Sequence, residues 1–126
     1  MKDRKFISGR IKSFAYAFSG AYKLVTTEHS IMVQFGIGVI VTIAGFYFNI
    51  TATEWMLQTL AIGMVLGIEG VNTAIEKIAD FIHPQYHEKI GFIKDISAGA
   101  VFFVAIAALI IGFVIYYPKL ASLLIN

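Results

Sequence analysis

Three long apolar segments dominate the chain, and short polar segments separate them. They cover residues 31–48, 55–75 and 96–117. Each is close to the roughly 20 residues that an α-helix needs to cross a hydrocarbon layer about 30 Å thick. The pattern therefore predicts three transmembrane helices.

The first 30 residues follow a different pattern, in which apolar side chains recur every three or four positions. The apolar stripe consists of Ile7, Ile11, Phe14, Phe18, Ala21 and Val25. This spacing predicts an amphipathic helix within 1–30. Its basic polar face fits a helix lying on a membrane surface, and packing against the chain's own bundle explains the stripe equally well. Because the segment lacks the apolar core of about 7–15 residues that a signal peptide needs, we expect no cleavable signal peptide.

The composition agrees with a membrane domain. Of the 126 residues, 58% are hydrophobic and 14% are charged, whereas soluble domains are usually about 45–50% apolar and about 25% charged. A net charge of +2 is too small to indicate nucleic-acid binding, and the absence of cysteine excludes thiolate metal sites and disulfides. The length leaves room for one domain. We therefore expect a single all-α membrane domain over 1–126.

Lysine and arginine are distributed unevenly between the polar segments. Segment 1–30 contains six of the ten, segment 76–95 contains three, and the 49–54 turn contains none. The positive-inside rule therefore predicts that 1–30 and 76–95 lie in the cytoplasm and that the C-terminus lies outside. We interpret 76–95 as a cytoplasmic extension of the second helix followed by a loop. The aromatic residues that then lie at the outer boundary, where such side chains are common, are Tyr47, Trp55, Tyr116 and Tyr117.

Polar residues interrupt the second apolar segment on one side only. Glu69, Asn72, Thr73, Glu76 and Asp80 fall within an arc of about 100° on a helix. An ionisable group at membrane depth costs a few kcal/mol and usually faces a bundle interior or a wet cavity. The simple alternative is that these groups only form hydrogen bonds between helices.

The carboxylates on this face, together with Lys94 just before the third apolar segment, fit phosphoryl transfer. Carboxylates bind Mg²⁺ together with substrate phosphates, and Lys94 provides a point charge for phosphate oxygens. A positioned carboxylate such as Glu69 also suits a general base acting on a hydroxyl. Two other classes fit the same residues. In a channel or transporter subunit Glu69 would carry a proton or cation, and in a structural protein the polar residues would hold helices together.

The stretch from Glu69 to Ala100 resembles the signature of the prokaryotic diacylglycerol kinase family, which also contains the undecaprenol kinases. The matching residues are Glu69, Asn72, Thr73, Ala74, Ile75, Glu76, Asp80, Tyr86, His87, Lys94 and Asp95. The resemblance implies a surface helix and three transmembrane helices in a bacterial cytoplasmic membrane. It also implies a homotrimer with active sites shared between protomers. The implied reaction transfers the γ-phosphate of ATP to diacylglycerol or undecaprenol.

The resemblance also implies a role for individual residues. Glu69 resembles the general base, with Asn72 as its polar partner, while Glu28 and Glu76 resemble the ligands of Mg²⁺ on the ATP phosphates. The other implied nucleotide contacts are Arg10, Tyr16, Gln85, Tyr86, His87, Lys94 and Asp95. The family has an arginine near its start, and Gly9 could occupy the equivalent position instead of Arg10 if the alignment shifts by one residue. Asp80 is implied as a supporting residue, and Ala98 and Gly99 are implied beside the bound lipid.

Overall fold

The fold is known from a computed structural model, which describes residues 1–125, and the regular structure in this range is entirely α-helical. The helices are α1 (Lys2–Thr27), α2 (His29–Tyr47), α3 (Ala52–Ile82) and α4 (Glu88–Ile125). Helices α2, α3 and α4 are each long and apolar enough to cross a membrane. The predicted all-α class and the three apolar spans are therefore confirmed.

Helices α3 and α4 extend well beyond the predicted apolar segments. The residues 88–95, which we expected in a loop, form the first turns of α4, so the connection from α3 is only 83–87. Pro84 accounts for the end of α3, because a residue before proline is driven out of the helical region, and His83 has φ −147° and ψ 88°. Helix α4 also continues through Pro118. With 38 residues it is about 57 Å long and exceeds the hydrocarbon thickness.

A single residue, Glu28, separates α1 from α2. Its backbone is extended, with φ −105° and ψ 113°, and its N–H donates to the carbonyl of Leu24. The Glu28 side chain makes no capping hydrogen bond at the start of α2, although an acidic residue at this position usually caps the helix. Its carboxylate therefore remains available for other partners.

The turn between α2 and α3 is closely packed. Asn49 has a φ of 51°, and Thr51 and Glu54 form a reciprocal capping box at the start of α3. A Cβ atom on Gly45 would lie 2.7 Å from the Trp55 ring. The absence of a side chain at Gly45 is therefore what lets Trp55 rest on α2.

Helix α3 is the centre of the fold, since it packs extensively on α4 and more lightly on α2. Helix α1 has no buried residue, and Ile7, Ile11 and Phe18 of its apolar stripe are exposed. Its C-terminal end touches α3, where Leu24 lies 3.0 Å from the position of a Cβ on Gly70. The N-terminal part of the stripe is thus not covered by the other helices of this chain, and its packing on a membrane surface or on a bundle of several protomers stays a prediction.

Candidate active site

Glu69 is the most enclosed acidic side chain of the predicted site, because only 9% of its surface is exposed. Its Oε2 atom has no hydrogen-bond partner within residues 1–125. A buried carboxylate oxygen without a donor is costly. Such an atom is a strong candidate for contact with a molecule outside this chain, and a substrate hydroxyl is one group that would supply the missing hydrogen bond.

Asn72 lies one helical turn from Glu69, and its side chain is held by α4. The Ser97 hydroxyl donates to Asn72 Oδ1 over 2.7 Å, and Ser97 itself is buried. Sequence reasoning missed Ser97. The signal was present in the spacing, since Ser97 lies three positions after Lys94 and therefore on the same side of α4.

The Lys94 ammonium forms an ion pair with Asp80 of α3. Together with the Ser97–Asn72 hydrogen bond, this pair joins the antiparallel helices α3 and α4 along the polar face. Lys94 remains accessible at this end of the bundle, and the neighbouring Asp95 is exposed. The predicted supporting residue Asp80 thus pairs with Lys94, a predicted nucleotide contact.

Glu28, one predicted metal ligand, lies between α1 and α2, and Glu76, the other, lies near the C-terminal end of α3. Glu28 Oε1 accepts an ion pair from Lys77 Nζ at 3.1 Å, and Glu76 is the exposed residue before Lys77. Within residues 1–125, histidine, aspartate and glutamate side chains form no group of three that could hold a metal ion. Since Mg²⁺ in nucleotide sites often takes one or two carboxylates and completes its shell with phosphates and water, these residues fit an ion that arrives on a nucleotide.

The short connection between α3 and α4 carries three predicted nucleotide contacts, Gln85, Tyr86 and His87. The Gln85 carbonyl lies 2.7 Å from His83 Nδ1. The backbone N–H of Lys89 donates to His87 Nδ1 over 3.1 Å, so His87 caps the start of α4. Tyr86 is 88% exposed, which leaves its ring open to a soluble ligand.

The remaining predicted contacts lie apart from this cluster. Arg10 and Tyr16 are exposed on α1, and the Arg10 guanidinium lies over the Phe6 ring, 5.3 Å from its centroid. Among residues 1–125 neither forms an ion pair or side-chain hydrogen bond with α3 or α4. Ala98 is exposed and Gly99 is half-buried, with no heavy atom within 4 Å of a Cβ on Gly99.

An apolar cavity of about 770 Å³ lies between α2, α3 and α4. Gln34 and Gln58 are the polar side chains of its wall, and Val65, one turn from Glu69 on α3, also lines it. At the end of the cavity nearest the α2–α3 turn, the Tyr116 hydroxyl donates to Gln58 Oε1 and lies 3.0 Å from the Val41 carbonyl oxygen. Sequence reasoning did not identify this cavity, which needs all three helices.

The fold and this polar cluster define a class: an integral membrane protein with an acidic site among its spans. Residues 15–116 match the family described as prokaryotic diacylglycerol kinase. The chain is 37% identical over 109 residues to the undecaprenol kinase of Bacillus subtilis (strain 168). These aligned residues are 86% of this chain and 89% of that protein.

Other relatives are named diacylglycerol kinase. The one from Synechocystis sp. is 33% identical over 114 residues, covering 90% of this chain and 65% of that protein. The one from Escherichia coli (strain K12) is 29% identical over 101 residues, covering 79% of this chain and 82% of that protein. The chain belongs to the prokaryotic diacylglycerol kinase family. It is an ATP-dependent lipid kinase and a multi-pass membrane protein.

Proposed function

We propose that this kinase phosphorylates a membrane lipid alcohol with Glu69 as the general base. The lipid hydroxyl oxygen attacks the γ-phosphorus of ATP, the bond to the β–γ bridging oxygen breaks, and ADP leaves. The hydroxyl proton passes to the Glu69 carboxylate. The observation that carries this proposal is the buried Glu69 Oε2 atom, which lacks a hydrogen-bond donor within residues 1–125.

Undecaprenol is the lipid that we favour. The relative from Bacillus subtilis, named undecaprenol kinase, has 37% identity and is covered over 89% of its length, whereas the Synechocystis protein, named diacylglycerol kinase, has 33% identity and 65% coverage. Diacylglycerol is the second candidate, because the relatives from Synechocystis and Escherichia coli are named diacylglycerol kinase. Either lipid would place its hydroxyl at Glu69, beside Ala98 and Gly99.

The apolar cavity supports a substrate with a hydrocarbon chain. The cavity lies on the outer side of Glu69. Gln58 and Val65 line it at seven-residue spacing, and Glu69 follows Val65 by one turn. The cavity and Glu69 therefore share one face of α3. Its largely aliphatic wall would contact methylene groups without leaving polar atoms unsatisfied.

The nucleotide would lie on the cytoplasmic side of Glu69. Glu28 and Glu76 would hold Mg²⁺ on its phosphates, and Lys94 would contact a phosphate oxygen after leaving Asp80. The ion would neutralise the charge that develops on the phosphates. Arg10, Tyr16, Gln85, Tyr86, His87 and Asp95 would provide the remaining contacts. The positive-inside distribution supports this orientation, with the C-terminus outside.

A homotrimer with shared sites is consistent with the surfaces that one chain leaves open. Phe14 and Phe18 of the α1 stripe are 77% and 81% exposed, which is expected of side chains that meet lipid or another protomer. We propose that α1 lies on the cytoplasmic surface and brings Arg10 and Tyr16 to a site whose other residues belong to the spans of the trimer.

The direct test is a kinase assay on the detergent-solubilised protein with γ-labelled ATP and Mg²⁺. Undecaprenol and diacylglycerol are offered in parallel, and the Glu69→Gln variant serves as the control. We expect label mainly in undecaprenyl phosphate. Label mainly in phosphatidic acid would reassign the lipid, and label in neither lipid, from an intact oligomer, would refute both assignments.

A further inference from the structure

Glu28 has one cationic partner among the described residues, and that partner is Lys77. The Lys77 ammonium lies 3.1 Å from Glu28 Oε1. The Glu28 side chain is only 24% exposed, whereas the Lys77 side chain is 68% exposed. The carboxylate is therefore partly buried between α1 and α2, and the lysine reaches it from α3 on the solvent side.

The carboxylate has few other contacts that would hold it. It does not cap α2, and the adjacent Thr27 hydroxyl, which donates to the Lys23 carbonyl over 2.6 Å, lies 3.4 Å from Glu28 Oε1. A long, mostly exposed lysine side chain can move between a carboxylate and water at small cost, because exposed ion pairs contribute little free energy. The Lys77–Glu28 pair is therefore suited to being exchanged.

We propose that Lys77 occupies the Mg²⁺ position on Glu28 in the nucleotide-free enzyme and is displaced when the metal–nucleotide complex binds. This inference rests on the proposed role of Glu28 as a metal ligand. An ammonium group and a metal ion both bind through the carboxylate oxygens, so Lys77 and Mg²⁺ compete for Glu28. Lys77 thereby keeps Glu28 charge-balanced before the nucleotide arrives, and it raises the metal concentration that the enzyme requires.

The competition is tested by metal binding rather than by turnover. Mn²⁺ replaces Mg²⁺ as a paramagnetic probe, and free Mn²⁺ is measured by electron paramagnetic resonance in the presence of the non-hydrolysable analogue adenylyl imidodiphosphate. The Lys77→Met variant removes the competing charge and keeps the side-chain length. We expect about two- to five-fold tighter Mn²⁺ binding, the range that loss of an exposed ion pair allows. Lys77→Arg keeps the charge and should stay close to the wild type.

Lys89→Met is the matched control for net charge. Lys89 lies at the start of α4 on the same side of the protein, it is exposed, and it has no ion pair within residues 1–125. We expect its Mn²⁺ affinity to equal that of the wild type. Unchanged or weaker binding in Lys77→Met, or equal tightening in Lys89→Met, would overturn the proposal. Lys77→Gln replaces Lys77→Met if size-exclusion chromatography shows that the methionine variant loses the wild-type oligomer.

Glu28→Gln separates this inference from the function on which it rests. If Glu28→Gln leaves Mn²⁺ binding unchanged, the metal role of Glu28 fails, and the competition fails with it. If Glu28→Gln weakens binding while Lys77→Met does not tighten it, the competition alone is wrong. We expect Lys77→Met to cause no tightening of Mn²⁺ binding in a Glu28→Gln background, because Lys77 competes with the metal only for the Glu28 carboxylate.

Discussion

The Ser97 hydroxyl donates a 2.7 Å hydrogen bond to Asn72 Oδ1 and so links α4 to the polar face of α3. Asn72 lies one turn from Glu69, and both Ser97 and Glu69 are buried. The hydrogen bond therefore determines the side-chain position of the residue beside the proposed base. It also makes Ser97 a positioning residue rather than a catalytic one.

Ser97→Ala should lower kcat several-fold and leave the KM for ATP unchanged, because it frees the Asn72 amide without touching the nucleotide contacts. Loss of the donor should also destabilise the fold by about 1 kcal/mol. Ser122→Ala, the same change at an exposed position of α4, is the control. A rise in the KM for ATP with constant kcat would contradict the positioning role of Ser97.

Glu69→Gln should reduce turnover by about two to four orders of magnitude, since it removes the general base and keeps the side-chain shape. Binding of a non-hydrolysable ATP analogue should be retained. The measurement compares lipid phosphorylation and analogue binding in the same preparation. Glu54→Gln makes the same change at the opposite end of α3, where Glu54 pairs with Lys119, and it should remain active. Wild-type-like turnover in Glu69→Gln would remove Glu69 from the reaction.

Glu76→Gln should raise the Mg²⁺ concentration needed for half-maximal activity and weaken nucleotide binding together, because a phosphate-borne ion loses one carboxylate ligand. Titration of Mg²⁺ at several fixed ATP concentrations measures both effects. The exposed Glu88 in the first turn of α4 provides the control variant Glu88→Gln. An unchanged Mg²⁺ titration in Glu76→Gln would count against its role as a metal ligand.

Lys94→Met should raise the KM for ATP, because it deletes a positive charge for a phosphate oxygen. Its ion pair with Asp80 is largely exposed, so the fold should lose less than about 1 kcal/mol. Steady-state kinetics in ATP, with thermal unfolding in parallel, checks both statements. Unchanged ATP kinetics would leave Lys94 as a positive charge flanking the membrane.

Gly45→Ala should destabilise the α2–α3 turn by about 1–3 kcal/mol, because the new methyl group would lie 2.7 Å from the Trp55 ring. Gly63→Ala is the matched control within α3, since no heavy atom lies within 4 Å of a Cβ there. Thermal unfolding in detergent compares the two variants. Equal stability would show that Trp55 can move away without cost.

Much of this architecture follows from the sequence alone. Long apolar runs predict the three spans, because a chain in hydrocarbon must satisfy its backbone hydrogen bonds internally and therefore forms helices. The periodicity of α3 also places Glu69, Thr73 and Asp80 together, and the structure buries Glu69 and Thr73 and pairs Asp80 with α4. The motif identifies the family, while the roles of the individual site residues stay predictions.

Other features depend on how the helices are placed against one another. Helical periodicity describes one face of one helix, but the partner across an interface depends on the depth and rotation of the second helix. The tertiary structure therefore decides that Ser97 meets Asn72 and that Lys77 meets Glu28. It also decides that the α1 stripe is left exposed, because α1 turns away from the spans at Glu28 and only its last turns reach them.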